Sequence, residues 1–134
     1  MASNAQLYEW GQNSSGQLGD GLLNYSVLSP KLLTGKPPLP EGLNINDIQA
    51  VSCGKDHTAI LTNDGYIYAA GANINGQLGI GTNQNEKTFT KCKGGDIDNI
   101  QGKIKAISCG QNYTAILTKD GYIYMLLVKI LQDN

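Results

Sequence analysis

The stretch "IQAVSCGKDHTAILTNDGYIY" (48–68) recurs 56 residues later as "IKAISCGQNYTAILTKDGYIY" (104–124), and this recurrence decides the fold. Roughly seven in ten positions are identical, far above what composition produces, so the chain contains an internal repeat. Each copy reads as strands. "QAVSCG" (49–54) and "KAISCG" (105–110) are short runs leading into a second run, "HTAILT" or "YTAILT". These runs are rich in β-branched and aliphatic residues and end at "NDG" or "KDG", a turn signal. "YIYAAG" follows at once, so 58–62 and 66–70 are predicted to form a tight hairpin, with Gly65 (and Gly121 in the second copy) at positive φ.

Outward from this unit the repeat continues. "YEWGQNSSGQLGDG" (8–21) lies over "YAAGANINGQLGIG" (68–81), and "SPKLLTG" (29–35) then lies over "FTKCKGG" (89–95). In that register Lys31 matches Lys91, and Cys92 takes the place of Leu32. Pro30–Leu33 and Thr90–Lys93 supply a fourth strand, at an edge where a proline needs no donor. Four short strands per unit of this length is the arithmetic of a propeller blade. The strands do not alternate polar with apolar as a half-wetted sheet would. Small Ala59, Ala69 and Ala70 stand beside large Ile67, as expected of a sheet covered on both faces.

The two hexapeptides "GQLGDG" (16–21) and "GQLGIG" (76–81) invite a phosphate-binding reading, but their context excludes it. A P-loop ends in Gly-Lys-Ser/Thr, whereas Leu22 and Thr82 follow here. A dinucleotide fingerprint opens a helix, and "LLNYSVLSPKLLTGKPPLPEG", with its four prolines, cannot be one. The alternative is that the glycines are punctuation in a repeated structural unit.

The pattern Gly54, His57, Thr58, Leu61, Thr62, Asp64, Gly65, Tyr68, Gly71, Asn73, Gly76, Gln77, Leu78, Gly79, Gly81 resembles the repeat of the regulator of chromosome condensation family. The resemblance covers nearly the whole chain and lapses at Met125–Asn134. It implies a β-propeller, of which this chain carries about two repeats. The expected architecture is all-β, a partial propeller of about two four-stranded antiparallel blades, open rather than closed. The units are read as 8–47 (partial), 48–103 (complete) and 104–134 (partial, with a divergent tail at 125–134). A fragment or truncated form of a larger propeller is expected, with assembly of protomers as the alternative.

Composition bounds the function. The formal net charge of −1, with mixed signs, argues against a strong grip on nucleic acid or an anionic membrane. No run is apolar enough to span a bilayer, and "MASNAQLYEWGQ" lacks the basic and apolar regions of a secretory signal. Cys53, Cys92 and Cys109 are odd in number and form no C-x-x-C pair, which fits a reducing compartment, cytoplasmic or nuclear. All three are expected to be small buried residues, and Cys53 and Cys109, in equivalent slots, too far apart to bond. The lone histidine, His57, follows Asp56, but the second copy has Asn112-Tyr113 there, so a packing role is expected and no catalytic residue is assigned. Trp10, aligned with Ala70, is expected to be partly exposed.

The turns Lys55, Asp56, His57 and Gln111, Asn112, Tyr113 vary between copies while their flanks do not, which marks them as partner-binding loops. The reading is a non-catalytic protein-interaction module with no cofactor and no metal. Self-association through open blade edges is a further expectation. The alternative implied by the resemblance is guanine-nucleotide exchange on a small Ran-like GTPase.

Overall fold

A computed structural model describes residues 5–33, 39–40 and 42–119, and the backbone of 123–127. Among these residues nine strands form three antiparallel sheets. The first sheet pairs β1 (Leu7–Gln12) with β2 (Ser26–Leu33). The central sheet has four strands in chain order: β3 (Ile48–Cys53), β4 (His57–Thr62), β5 (Ile67–Gly71) and β6 (Glu86–Lys91). The third sheet has β7 (Ile104–Cys109), β8 (Tyr113–Thr118) and β9 (Ile123–Leu127). Besides one 3-10 turn (Ile45–Asp47), the single helix among the described residues is α1 (Ile97–Ile100). The architecture is a partial propeller, nearly all-β, and it does not close.

The predicted hairpin is present, and its signature Thr-x-Asp-Gly has a physical reason. Thr62 Oγ1 donates to Asp64 Oδ1 at 2.5 Å and accepts from the Tyr66 N–H at 3.0 Å. Gly65 then turns the chain at φ 87°. The corresponding turn at Gly121 lies outside the described residues.

Both hexapeptide loops are held by a buried asparagine. Asn73 accepts from the Leu78 N–H at 3.0 Å and donates to the carbonyls of Thr82 and Gln84. Asn13 repeats this, accepting from the Leu18 N–H at 3.0 Å and donating to Leu22 O and Asn24 Oδ1. One amide thus satisfies three groups of a loop that has no ladder of its own. The glycines of both hexapeptides sit at positive φ, with no anion cradle required. The single difference between the hexapeptides also has a cause. Ile80 is buried in the core against the third sheet, whereas Asp20 takes Lys31 at 3.4 Å.

Two apolar layers hold the sheets together. Ile60, Tyr68, Ala70 and Phe89, on one face of the central sheet, meet Leu33, Leu39, Leu43 and the partly buried Leu7. Leu61, Ile67, Ala69 and Leu78, on the other face, meet Ile97, Ile100, Ile104 and Ile116. Coverage of both faces explains the absence of alternation in β5, whose five residues are all buried.

Two expectations are corrected. The edge strands are longer than Pro30–Leu33 and Thr90–Lys93, and their register differs by one residue. Leu32 lies opposite Tyr8 and Lys91 opposite Tyr68, so Leu32 corresponds to Lys91 and Leu33 to Cys92. Both Leu33 and Cys92 are buried, and packing rather than lysine identity sets the alignment. The burial expected of all three cysteines holds for Cys92 alone. Cys109 is half-buried, while Cys53 is exposed because the first sheet has no strands equivalent to β3 and β4 among the described residues to cover it. The resemblance lapses at Met125, yet the backbone of β9 stays in register through Leu127, with Met125 opposite Ala115 as Ala69 is opposite Ala59. Residues 128–134 lie outside the described residues.

Candidate functional site

The two variable turns have the same construction. Gly54 N–H donates to His57 O, and Gly110 N–H to Tyr113 O, each at 2.8 Å. The ring three residues on folds back over the glycine. A Cβ on Gly54 would run into the His57 imidazole, and one on Gly110 into the Tyr113 ring. This close approach is the reason for the Gly-x-x-His/Tyr spacing. The turns also touch each other, since Lys55 N–H donates to Gln111 O at 3.3 Å. Lys55 and Gln111 therefore stand side by side and exposed, with Asp56 and Asn112 half-exposed and Tyr113 at the rim.

His57 does not belong to that exposed surface. It is 1% exposed, because the third sheet lies over it. Its Nε2 is 3.0 Å from Thr114 Oγ1, and that hydroxyl donates its one proton to Gln77 O at 2.9 Å. Nε2 must then carry the proton, and Nδ1 is left buried without a partner. Burial holds the imidazole below its ordinary pKa, with the nearby Tyr113 backbone and the Asp56 charge opposing. A neutral, enclosed ring is a packing and bridging group. Its place in a variable turn groups it with the partner-binding loops, and the neighbouring blade overrides that grouping. Tyr113, its counterpart, is exposed because no described sheet covers it.

No reactive group is assembled among the described residues. Burial pushes the Cys92 thiol up to about 12 and raises Cys109, which keeps both protonated. No cluster of three or more His, Cys, Asp or Glu side chains could hold a metal ion among the described residues.

A second feature is not visible in the sequence reading. Between β1 and β3 lies a groove of about 310 Å³ lined by Leu7, Glu9, Trp10, Val51, Cys53 and Thr58, among others. Trp10, as expected, is largely exposed, at 56%. Glu9 is only 8% exposed, and neither carboxylate oxygen has a hydrogen-bond partner. Lys31 is its cross-strand neighbour but bonds to Asp20 instead. Burial first, and then the charge of Asp20, raises the pKa of Glu9, while Lys31 partly offsets this. A signal for it exists in the repeat itself: the position of Glu9 is Ala69 in the next unit and Met125 in the last.

Glu9→Ala is therefore expected to stabilise the chain at pH 7 by about 1 kcal/mol, by removing an unpaired buried polar group. Because the folded pKa is raised, the cost of Glu9 grows as pH rises through that value and is absent below the unfolded value of about 4.3. Urea denaturation at pH 7 and pH 4 reads this directly, with the gain shrinking at the lower pH.

Comparison with known proteins places the repeat. The profile of the Regulator of chromosome condensation (RCC1) repeat matches residues 4–61 and 64–117, and a second profile of the same description matches 48–77. The X-linked retinitis pigmentosa GTPase regulator of Canis lupus familiaris is 36% identical over 125 residues, covering 93% of this chain and 11% of that protein. The secretion-regulating guanine nucleotide exchange factor of Bos taurus is 34% identical over 120 residues, covering 89% of this chain and 23% of that protein. Yeast RCC1 (Prp20), in a crystal structure with Kap60, superposes with a TM-score of 0.70 at 23% identity, covering 90% of this chain and 27% of that one. The chain thus spans roughly a tenth to a quarter of the length of these relatives. Repeat signature, blade topology and profile agree: the chain belongs to the regulator of chromosome condensation (RCC1) repeat family.

Proposed function

We propose that the chain is a non-catalytic protein-interaction module that presents Lys55, Gln111 and Tyr113, with Asp56 and Asn112, to a partner protein. The observation that carries this reading is the pairing of two variable turns. They are hydrogen-bonded to each other on a repeated frame, with their differing side chains outward. The units 8–47, 48–103 and 104–134 serve as the frame. Cytoplasm or nucleus is the compartment that three cysteines, odd in number and without a C-x-x-C pair, support. Neither strong nucleic-acid binding nor membrane insertion belongs to this reading, and no described helix is long and apolar enough to cross a membrane.

Exchange on a small Ran-like GTPase is the second reading, favoured by the exchange factor among the relatives and by a solved yeast relative studied for binding Gsp1p and histones. Release of fluorescent GDP from a panel of small GTPases separates the two. Acceleration by the chain supports exchange, while capture of a partner without acceleration supports the binding module. Lys55→Glu with Gln111→Glu is expected to weaken capture at least tenfold and to leave the melting temperature unchanged, because both side chains are exposed. Undiminished capture by the double variant would remove these turns from the interface.

A further inference from the structure

A polar notch of about 460 Å³ opens at the end of β4 away from Lys55, where the Ile45–Asp47 turn meets the outer strands β5 and β6. Asp47, Asp64, Tyr66, Tyr68 and Lys91 are among its walls. A backbone bond brings its two carboxylates to the same place. Asn63 N–H donates to Asp47 O at 2.7 Å, so the 3-10 turn lies against the hairpin turn that carries Asp64. Asp64 Oδ1 accepts from Thr62, and neither carboxylate meets a cation among the described residues. Lys91 is held elsewhere, its Nζ 4.2 Å from the centroid of the Tyr66 ring. Tyr68 forms the floor. It is only 5% exposed, yet its hydroxyl has no hydrogen-bond partner among the described residues. Gly42 leaves room over that hydroxyl, since even a Cβ there would stand 3.5 Å away. An enclosed phenol without a partner costs free energy that a ligand's donor would recover. Burial first, then the charge of Asp64 and then Tyr66, raise the pKa of Tyr68, so it stays neutral and its oxygen is free to accept.

The next unit builds the same joint with the opposite charge. Lys119 N–H donates to Lys103 O at 2.7 Å, so Lys103 holds the place of Asp47 and Lys119 that of Asn63. The acidity therefore belongs to this unit and not to the repeated frame. A neighbouring unit does not cover the position either. The turn of the central sheet lies on the linker ahead of β7, with Gly102 N–H donating to Gly65 O at 3.0 Å, and Lys103 is still exposed.

Resting on the protein-binding reading, we infer that this notch is a second docking site, which takes an arginine side chain of a partner polypeptide between Asp47, Asp64 and the Tyr68 hydroxyl. Two carboxylates and a phenol oxygen offer acceptors in three directions. A guanidinium carries five N–H donors in a fixed fork and serves several acceptors at once, whereas an ammonium is a compact point charge. All ten basic residues of this chain are lysines, so a second copy cannot supply the guanidinium. The notch and the Lys55–Gln111 surface lie at opposite ends of β4, so a partner on one leaves the other open.

The probes are acetylated, amidated pentapeptides, Gly-Gly-X-Gly-Gly, in which X is arginine, lysine or the neutral isostere citrulline. They are titrated into the full chain at pH 7 and low ionic strength, and the amide NMR signals of Asn63 and Tyr66 report occupancy. The arginine peptide is expected to bind about fivefold tighter than the lysine peptide, and the citrulline peptide to give no saturable shift. Asp47→Lys, which installs the residue of the next unit, is expected to abolish binding. Asp96→Lys makes the same charge change at an exposed position outside the notch and is expected to leave affinity within about twofold. Tyr68→Phe is expected to weaken the arginine peptide about threefold without lowering the melting temperature, because the hydroxyl it removes has no partner among the described residues. Equal affinity for the arginine and lysine peptides, saturable binding of citrulline, or no shift at these amides would overturn the proposal. So would undiminished binding by Asp47→Lys, or an equal loss in Asp96→Lys, which would reduce the effect to overall charge. Guanidinium chloride matching the arginine peptide in affinity would overturn the polypeptide as its source. Peptide titration reads the notch and partner capture reads the Lys55–Gln111 surface. Failure at the notch with capture intact overturns the second docking site alone, and loss of both removes the binding-module reading.

Discussion

Gly71→Ala is expected to destabilise the chain by about 3 kcal/mol or more, whereas Gly11→Ala, at the same repeat position, is expected to cost about 1 kcal/mol. Both glycines adopt positive φ, 114° and 108°. The shared cost is therefore the strain of a left-handed backbone carrying a Cβ. The difference lies in what surrounds them. A Cβ on Gly71 would strike Asp56 O and approach His57 Cα at 2.8 Å and Gln17 Cα at 3.1 Å. These are backbone atoms, which cannot swing aside as a side chain would. Around Gly11 nothing lies within 4 Å. The close approach also positions the variable turn. Gly71 pairs with His57 in the ladder, and Ala72 N–H donates to Asp56 O at 2.8 Å, so β5 fixes the turn that carries Lys55. Urea denaturation of both variants measures the contrast; equal losses would show that the turn yields and that β5 does not hold it.

Most of the frame is legible in the repeat alone. Identity between 48–68 and 104–124 points to the hairpin, because the Thr-x-Asp-Gly turn and the Gly-x-x-His/Tyr turn are local devices whose partners lie within five residues. The edge strands are legible only approximately. Lys31 and Lys91 are identical, but identity between exposed lysines carries no packing information, and the buried pair Leu33 and Cys92 sets the register. His57 shows the limit for the site. Its turn varies between copies, which is the pattern of a recognition loop, yet what buries it is a sheet beginning almost fifty residues later. Glu9 is hidden for the opposite reason. A glutamate after a tyrosine is ordinary in a strand, and its only mark in the sequence is a charge where the other units have Ala69 and Met125; that its oxygens are enclosed and unpaired is seen only in the fold.

Thr114→Val is expected to cost about 2–4 kcal/mol, because the isosteric change leaves two buried groups, Gln77 O and the His57 Nε2–H, without partners. Thr58→Val, at the equivalent position, removes only a hydroxyl that donates to Gln17 O at 2.7 Å in a half-buried setting, and about 1 kcal/mol is expected. The excess at Thr114 measures the clamp between the central and third sheets. The clamp also has a pH signature. Burial holds the folded pKa of His57 below its ordinary 6.5, so the unfolded chain takes up the proton first as pH falls. The contribution of neutral His57 is complete above about 6.5 and is lost as pH falls through that value toward the folded pKa. His57→Gln is expected to flatten this part of the stability profile between pH 7.5 and pH 5, as read by urea midpoints across that range. Glu9 acts with the opposite sign, since protonation relieves its cost, so the profile of the Glu9→Ala background isolates the histidine. An unchanged profile in His57→Gln would mean that the ring is charged or solvated in the folded chain, and the third sheet would not lie over it as described. For the proposed binding surface the consequence is direct. Lys55 and Gln111 belong to different sheets and meet through a single backbone hydrogen bond, so the clamp at Thr114, with the Cys109 N–H to Ser52 Oγ bond beside it, helps keep the two turns side by side. Thr114→Val is accordingly expected to weaken partner capture even at temperatures where the central hairpin remains folded.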